Sequence, residues 1–581
     1  MKLPIKRYFK LLFTYIKLQL KLVLLLFMLL GFSIGLQLVN PQIVRFFIDE
    51  AMKGTTSQKL YGAAALFIVL ALVQQGINLV STYISQNIGW LTTNKLRLDL
   101  TEHCLKLDMS FHKSHRPGEL IERIDGDVNA LFNFFSKFAV SLISNILLVI
   151  GVLVLLYRED WRIGAALSMF ALATLIVLWI TQTAAVKHWV AERKANADFF
   201  GFLGEQVGST EDIRSSGAVA YVMNNFFKLL RSWYPVKKKA IMMHYRMWMA
   251  SIMIFAVGNI ITFGVGAYLK INGIITLGTV YLIFNYTELL RGPLEQIRGQ
   301  FQDLQKSAAS IARIEELLSI KSVLLDGNNI LDKQQAMELK VDKLTFEYDD
   351  NSPVLKDVTF QLNSGKTLGI LGRTGSGKST LARILVRLYD PKAGNIYLNG
   401  CDLKEISESS LRESIAYITQ DVQLFNATIK DNLTLFNPAI QEQDIRKAVE
   451  AIGLAKWIDN MPQGLETMLG PRGEGLSAGE AQLLAFIRVF LKNPSLVIMD
   501  EASSRLDPAT EMLMEEAMNK LLEGRSCIII AHRLHTIQRA QEILILEQGS
   551  VKEYGERKTL LNNPNSHFNN LLKTGMEEVL V

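Results

Sequence analysis

Apolar residues between about 20 and 290 gather into long blocks, whereas beyond about residue 330 they fall into the short runs of a soluble domain. Six blocks, roughly 22–42, 60–84, 137–157, 162–184, 247–270 and 274–292, approach the ~20 mostly apolar residues that carry a helix across a bilayer. An even number of crossings leaves both chain ends on one side. Three links are short, among them Arg158-Glu159-Asp160-Trp161 and Lys270-Ile271-Asn272-Gly273. The other two, about 85–136 and 185–246, are long and rich in Lys and Arg, which predicts that they and both termini are cytoplasmic. Apolar spacing within these links is helical, so they extend the membrane helices into the cytoplasm. Each is broken once, at Ser114-His115-Arg116-Pro117-Gly118 and around 209–217. The breaks read either as two solvated loops or as a pair of short helices that press on the following domain.

At 581 residues the chain exceeds what one hydrophobic core organises, so at least two domains are expected. The formal net charge of +6 would suit nucleic acid, but Lys2, Lys6, Arg7, Lys10, Lys17 and Lys21 abut the first apolar block, which points to the anionic face of a membrane instead. No nucleic-acid partner is expected. Cys104, Cys401 and Cys527 form no CxxC or His/Cys cluster, so neither a disulfide framework nor a structural zinc site is indicated. The first block is long enough to span and lacks a cleavage-site pattern, and it reads as retained. Polar residues inside the blocks are mostly amides and hydroxyls: Gln37, Asn40, Gln74, Gln75, Asn78, Asn145, Asn259, Asn285 and Tyr286. Interhelical hydrogen bonds are the default for such amides, and Glu288, Arg158 and Asp160 sit towards block ends. Carriers driven by an ion gradient keep ionisable groups at mid-membrane, so the energy for this chain must come from elsewhere.

That source is legible beyond residue 336. The buried-strand pattern Leu368-Gly369-Ile370-Leu371 runs into Gly372-Arg373-Thr374-Gly375-Ser376-Gly377-Lys378-Ser379-Thr380, a GxxxxGKS/T loop, and then into a helix. Glycines let successive backbone N–H groups turn towards a phosphate chain, and the helix N-terminus adds its positive end. Lys378 suits the β- and γ-phosphates of ATP, and the Ser379 hydroxyl suits Mg²⁺. A second apolar strand, Ser495-Leu496-Val497-Ile498-Met499, ends on Asp500 and Glu501. The first carboxylate fits the metal's coordination sphere, the second a base for the attacking water.

With these motifs in this order the chain resembles the ABC transporters, in particular exporter-type half-transporters whose membrane helices precede the ATPase domain. Tyr348 looks like the family's adenine-stacking aromatic, Gln420 like its Q-loop residue contacting metal and interface, and Leu476-Ser477-Ala478-Gly479-Glu480 stands at its LSGGQ signature. Ser504-Arg505-Leu506-Asp507 resembles the D-loop, and His532 the switch histidine at the γ-phosphate. The resemblance implies a multidomain fold: an all-α six-helix transmembrane bundle (1–292, with two coupling helices at the breaks), a helical connector (293–335) and an α/β P-loop NTPase domain (336–581). It also implies an ATP- and Mg²⁺-dependent translocase in which Ser477 and Gly479 of one chain meet the phosphate loop of another. Glu501, His532 and Lys378 are the expected catalytic groups.

Two of five signature positions depart from the pattern, Ala478 for Gly and Glu480 for Gln, while Lys378, Gln420, Asp500, Glu501 and His532 are intact. This asymmetry resembles heterodimeric exporters with one impaired ATP site, and a homodimer stays open. Uncharged spans favour an amphipathic small molecule, lipid or peptide as cargo. An ATP-gated channel or regulatory subunit would share the fold. A soluble ABC ATPase is disfavoured by the spans, and an importer by the fusion of both domains. A bacterial inner (plasma) membrane suits the compact layout, with an organelle membrane also open.

Overall fold

The computed structural model describes residues 13–15, 17–54, 56–133, 136, 140–332, 336–348, 352–500, 508–531 and 537–573. The chain divides into two compact units, Met1–Leu105 with Pro117–Ile320, and Lys106–Arg116 with Lys321–Val581.

The first unit is helical. Its long members are α1 (Leu20–Met52), α2 (Ser57–Lys106), α4 (Val140–Glu159), α5 (Trp161–Gly208), α7 (Val219–Ile271) and α8 (Leu277–Ser319). Five of these, α1, α2, α4, α5 and α7, are long and apolar enough to cross a membrane. The sixth predicted block opens α8, which runs on for 43 residues through Pro293 and so also carries most of the segment 293–335. At 1.5 Å per residue the 53-residue α7 is about 80 Å long, far more than a bilayer core, so roughly half of it lies beyond the membrane. A short helix, α3 (Met109–Ser114), ends where the first break begins, and another, α6 (Thr210–Ser215), lies within the second. Pro117 starts the next helical stretch at a position where its missing N–H goes unused, and Gly217 leaves α6 at φ +64°.

Polar groups pair between these helices where lipid cannot satisfy them. Asn40 donates to Gln74 (3.0 Å), Ser33 to Asn78 (2.6 Å), Asn145 to Gln296 (3.0 Å) and Asn259 to Glu288 (2.9 Å). Near the α4–α5 turn, Arg45 reaches Glu159 at 2.6 Å, and Asp49 accepts from Thr276 and from the Gly278 N–H at 2.8 and 3.0 Å. The helices thus lock by specific contacts around an apolar cluster that includes Leu156, Leu167, Phe255 and Tyr286. Glu288 lies eleven residues into α8, about 17 Å along it.

In the second unit, β1 (Leu339–Phe346), β2 (Leu355–Leu362), β4 (Ala393–Leu398) and β5 (Cys401–Asp402) form an antiparallel sheet in the order β2-β1-β4-β5. A second sheet has the order β10-β9-β3-β8-β7-β6, from β3 (Thr367–Leu371), β6 (Ile415–Ile418), β7 (Leu496–Asp500), β8 (Ser526–Ile530), β9 (Glu542–Glu547) and β10 (Ser550–Glu556). Strands β6, β7, β8, β3 and β9 are parallel, and every residue of β3, β7 and β8 is buried, as expected for a sheet covered on both faces. Parallel pairing brings the C-terminal ends of β3 and β7 to one edge of the sheet, on either side of β8.

The segment 106–116 belongs to this unit through named contacts. Asp108 caps α3 by accepting from the Phe111 N–H (3.1 Å) and accepts the Val323 N–H at 2.7 Å.

All three cysteines are free. Burial pushes the Cys527 thiol up to about 12, and the Cys104 thiol is raised by burial as well. Against an ordinary thiol near 8.5, Cys527 has roughly 10³-fold less thiolate at mildly alkaline pH. N-ethylmaleimide should therefore modify the half-buried Cys401 first and leave Cys527 untouched until unfolding, as read by peptide mass spectrometry. Equal labelling of Cys401 and Cys527 in the native protein would contradict the buried placement.

Candidate functional site

The loop between β3 and α9 (Lys378–Leu385) is shaped by glycine. Gly372, Gly375 and Gly377 have φ of +151°, +81° and +102°, conformations that a side chain resists. At Gly372 a Cβ would lie 2.2 Å from the Leu546 carbonyl oxygen, so no larger residue fits; at Gly375 nothing lies within 4 Å. Lys378 is 6% exposed, and its ammonium donates to the carbonyls of Gly372 (2.6 Å) and Arg373 (3.0 Å). Burial lowers its pKa, while the Asp500 carboxylate opposes that shift. The Ser376 hydroxyl is buried without a hydrogen-bond partner, an acceptor and donor turned into the loop with nothing to bind.

Asp500, 5% exposed, ends β7. Tyr417 at the end of β6 has its phenol pushed up to about 12, by burial first and then by Asp500. Gln420 follows β6 and is exposed, as are Arg373 and Thr374; Ser379 is half-buried and Thr380 buried. Thr380 shares a hydrogen bond of 3.1 Å with the Tyr348 hydroxyl, which ties the ring to the first turn of α9. Tyr389 and Phe346 meet the Tyr348 ring edge-on, with centroids at 5.3 and 4.9 Å. Over its face lies the Lys113 ammonium of α3, 3.8 Å from the centroid. This contact, 235 positions apart in sequence, has no local signal in the chain.

The signature residues open another helix, α10 (Ala478–Lys492). Ser477 is its N-cap: its hydroxyl accepts from the Glu480 N–H (3.2 Å), and Glu480 returns the bond by accepting from the Ser477 N–H at 2.8 Å. The other Glu480 oxygen accepts from Trp457 Nε1 at 3.4 Å. Gly479 is buried behind them. Glu501, the D-loop 504–507 and His532 lie outside the described residues.

A strand-bound glycine loop, a buried lysine and a carboxylate at the end of a strand one removed from β3 form an arrangement suited to a phosphate chain and a cation. Comparison with known proteins gives the setting. Residues 22–294 match the family model of the ABC transporter transmembrane region, and 355–504 match the family model described as ABC transporter. A Staphylococcus aureus (strain NCTC 8325 / PS 47) protein, named as a candidate multidrug export ATP-binding/permease protein, is 30% identical over 546 residues, covering 91% of this chain and 93% of its own. The chain belongs to the ABC transporter family. The uncharacterized ABC transporter ATP-binding protein YfiC of Bacillus subtilis (strain 168) is 26% identical, over 93% of this chain and 90% of its own. The fold matches the structure of a bacterial Atm1-family ABC exporter with ATP bound at TM-score 0.78 and 22% identity, over 95% of this chain and 98% of the other. This ABC transporter is thus an integral membrane protein with a transmembrane domain followed by an ATP-binding domain, the arrangement of the exporter half-transporters. It is an ATPase whose hydrolysis drives transport.

Proposed function

We propose that the protein exports an amphipathic small molecule, lipid or peptide from the cytoplasm across a plasma membrane by alternating access, as one half of a dimer whose partner is a different half-transporter. Both termini and the ATPase domain are then cytoplasmic, in line with the Lys- and Arg-rich links. The name of the S. aureus relative, which refers to multidrug export, agrees with an amphipathic cargo.

In this reading the Gly372–Thr380 backbone, Lys378 and the unpartnered Ser376 hydroxyl hold the ATP phosphates, and Tyr348 packs on the adenine. Ser379, Gln420 and Asp500 supply hydroxyl, amide and carboxylate oxygens, the hard donors that suit Mg²⁺. Bound there, the ion neutralises charge on the β- and γ-phosphates. Glu501 accepts a proton as water attacks the γ-phosphorus, the bond to the β-phosphate oxygen breaks, and ADP and phosphate leave; His532 contacts the γ-phosphate. Ser477 and Gly479 complete the partner's site.

The observation that carries the heterodimer is the Ser477–Glu480 capping box. Glu480 puts a carboxylate in the first turn of α10, bonded to that helix's own N-terminus. A helix N-terminus attracts phosphate through its partial positive charge, and an acidic residue already there offsets it. The site that this signature completes is therefore weakened, while the chain's own phosphate-binding residues are intact. Hydrolysis by the purified chain in lipid, alone and with candidate partners, tests this. Activity should require a partner, and Glu480→Gln should raise hydrolysis by the chain alone roughly two- to fivefold, the range of one helix-dipole interaction. Full, cargo-stimulated ATPase activity from the unmodified chain alone would instead establish a homodimer.

A further inference from the structure

On the first unit, α7 and His188 of α5 line an open-sided cavity of about 460 Å³, with Pro235, Lys238, Lys239, Met242, Met243 and Arg246 as its α7 wall. That volume is in the range of small-molecule sites. The wall carries three fixed cations and no carboxylate. The nearest acid in sequence on α5, Glu192, is taken by Lys237, which points to it and over the Trp233 ring. Among the described residues Lys238, Lys239 and Arg246 have no ion-pair partner, and Arg246 is bonded only to the Met243 sulfur at 3.9 Å. Three neighbouring like charges repel one another, and an anion in the cavity would relieve that repulsion.

Depth along the helices narrows the ligand. Arg246 directly precedes the apolar stretch that begins near 247, and His188 lies just past the one that ends near 184. From Arg246 to Pro235 is eleven residues, about 16 Å of helix, roughly twice the ~5–8 Å that one headgroup layer adds to the hydrocarbon core, so Arg246 and Met243 lie at headgroup depth and the lysines reach up to it from the cytoplasmic side. Tyr234, Tyr245 and Trp248 stand on α7 around the cavity, 61%, 56% and 58% exposed, and exposed aromatic residues of this kind favour the membrane–water interface. Pro235, Met242 and Met243 add an apolar wall beside the cations.

We infer that this cavity binds the headgroup of an anionic phospholipid from the cytoplasmic leaflet, with Lys238, Lys239 and Arg246 on the phosphate and the methionines against the glycerol and upper acyl chain. A general excess of cytoplasmic positive charge explains basic residues at this depth but not a cavity walled by three unpaired ones. The inference rests on the cytoplasmic placement of the long links and not on the identity of the cargo or the partner.

The test uses the full chain in nanodiscs of phosphatidylcholine with rising fractions of phosphatidylglycerol, reading retained lipid by native mass spectrometry and the thermal midpoint in parallel. A cavity variant, Lys238→Gln/Lys239→Gln/Arg246→Gln, is set against a control that removes equal charge elsewhere on the same helices, Lys194→Gln/Lys228→Gln/Arg231→Gln. Each basic contact near a membrane surface contributes about 1 kcal/mol, so the cavity variant should lose phosphatidylglycerol preference tenfold or more, with the control close to wild type. A single cooperative melting transition and unchanged helical circular dichroism should persist in both, as a check of folding. If the triple variant fails that check, Lys239→Gln alone should still show a partial loss. Equal losses in cavity and control variants would overturn the proposal in favour of diffuse surface attraction. Displacement of the lipid by inorganic phosphate at equal concentration would overturn it in favour of a soluble phosphate ligand. Because the readout is lipid retention, these outcomes are independent of whether a partner is needed for hydrolysis.

Discussion

Glu501→Gln is expected to lower ATP turnover about 10²- to 10⁴-fold, the contribution of a positioned general base, while ATP still binds. The reason begins in the sheet. All five residues of β7 are buried, and the strand ends on Asp500 at the same sheet edge as the phosphate loop. Asp500 is close enough to Lys378 to oppose the drop in its pKa, so the strand end lies within electrostatic reach of the phosphate site. Glu501 follows directly in the chain. An amide of the same size cannot take a proton, but it leaves the loop, Lys378 and Asp500 unaltered. Phosphate release and fluorescent-nucleotide binding, measured on the chain with its partner, separate the two effects. Turnover that survives the substitution would remove Glu501 from the role of base.

Gly372→Ala should have the second large effect, on nucleotide binding and on the stability of the ATPase unit. An added Cβ would meet the Leu546 carbonyl at 2.2 Å and the Ser376 hydroxyl at 2.6 Å, and φ is +151°. Leu546 is paired with Val551 across β9 and β10, so its carbonyl cannot swing aside. The loop must shift instead, carrying away the Gly372 carbonyl that holds Lys378. Overpacking of this kind costs about 3 kcal/mol, which corresponds to a loss of ATP affinity near 100-fold if it falls wholly on the binding-competent loop. Gly375→Ala is the matched comparison. Its φ of +81° gives strain of about 1 kcal/mol, but the space around it is open, so binding should weaken much less. ATP titration and thermal melting of both variants check this, and equal behaviour of the two would refute the steric account.

Much of this architecture can be read from residue order alone, and where it cannot the cause is physical. Glycine spacing announces the phosphate loop because only glycine reaches these backbone angles, and five consecutive buried residues announce β7. Helices that leave the membrane are legible because apolar spacing continues through 185–246. Pro235 and Pro293 would each locally favour a helix end, yet α7 and α8 run through them, since tertiary packing outweighs the local cost. The charge of Glu480 is plain in the sequence, but not that its two oxygens are spent on Ser477 and Trp457. Likewise Lys238, Lys239 and Arg246 look like ordinary cytoplasmic positive charge until α5 folds beside α7 and an open-sided cavity gathers them on one wall.

The path of the chain between its two units has a consequence for recombination. It passes from one to the other three times, at 105/106, 116/117 and 320/321, because the short stretch around α3 belongs with the ATPase. A graft that exchanges only 321–581 with a relative would separate Tyr348 from the Lys113 that lies on its ring and Val323 from the Asp108 that accepts its N–H. Chimaeras that respect the fold must carry eleven residues, 106–116, from the middle of the membrane half. Evolution faces the same constraint: the motor of this protein is inherited in two pieces, and a crossover between them yields mismatched parts.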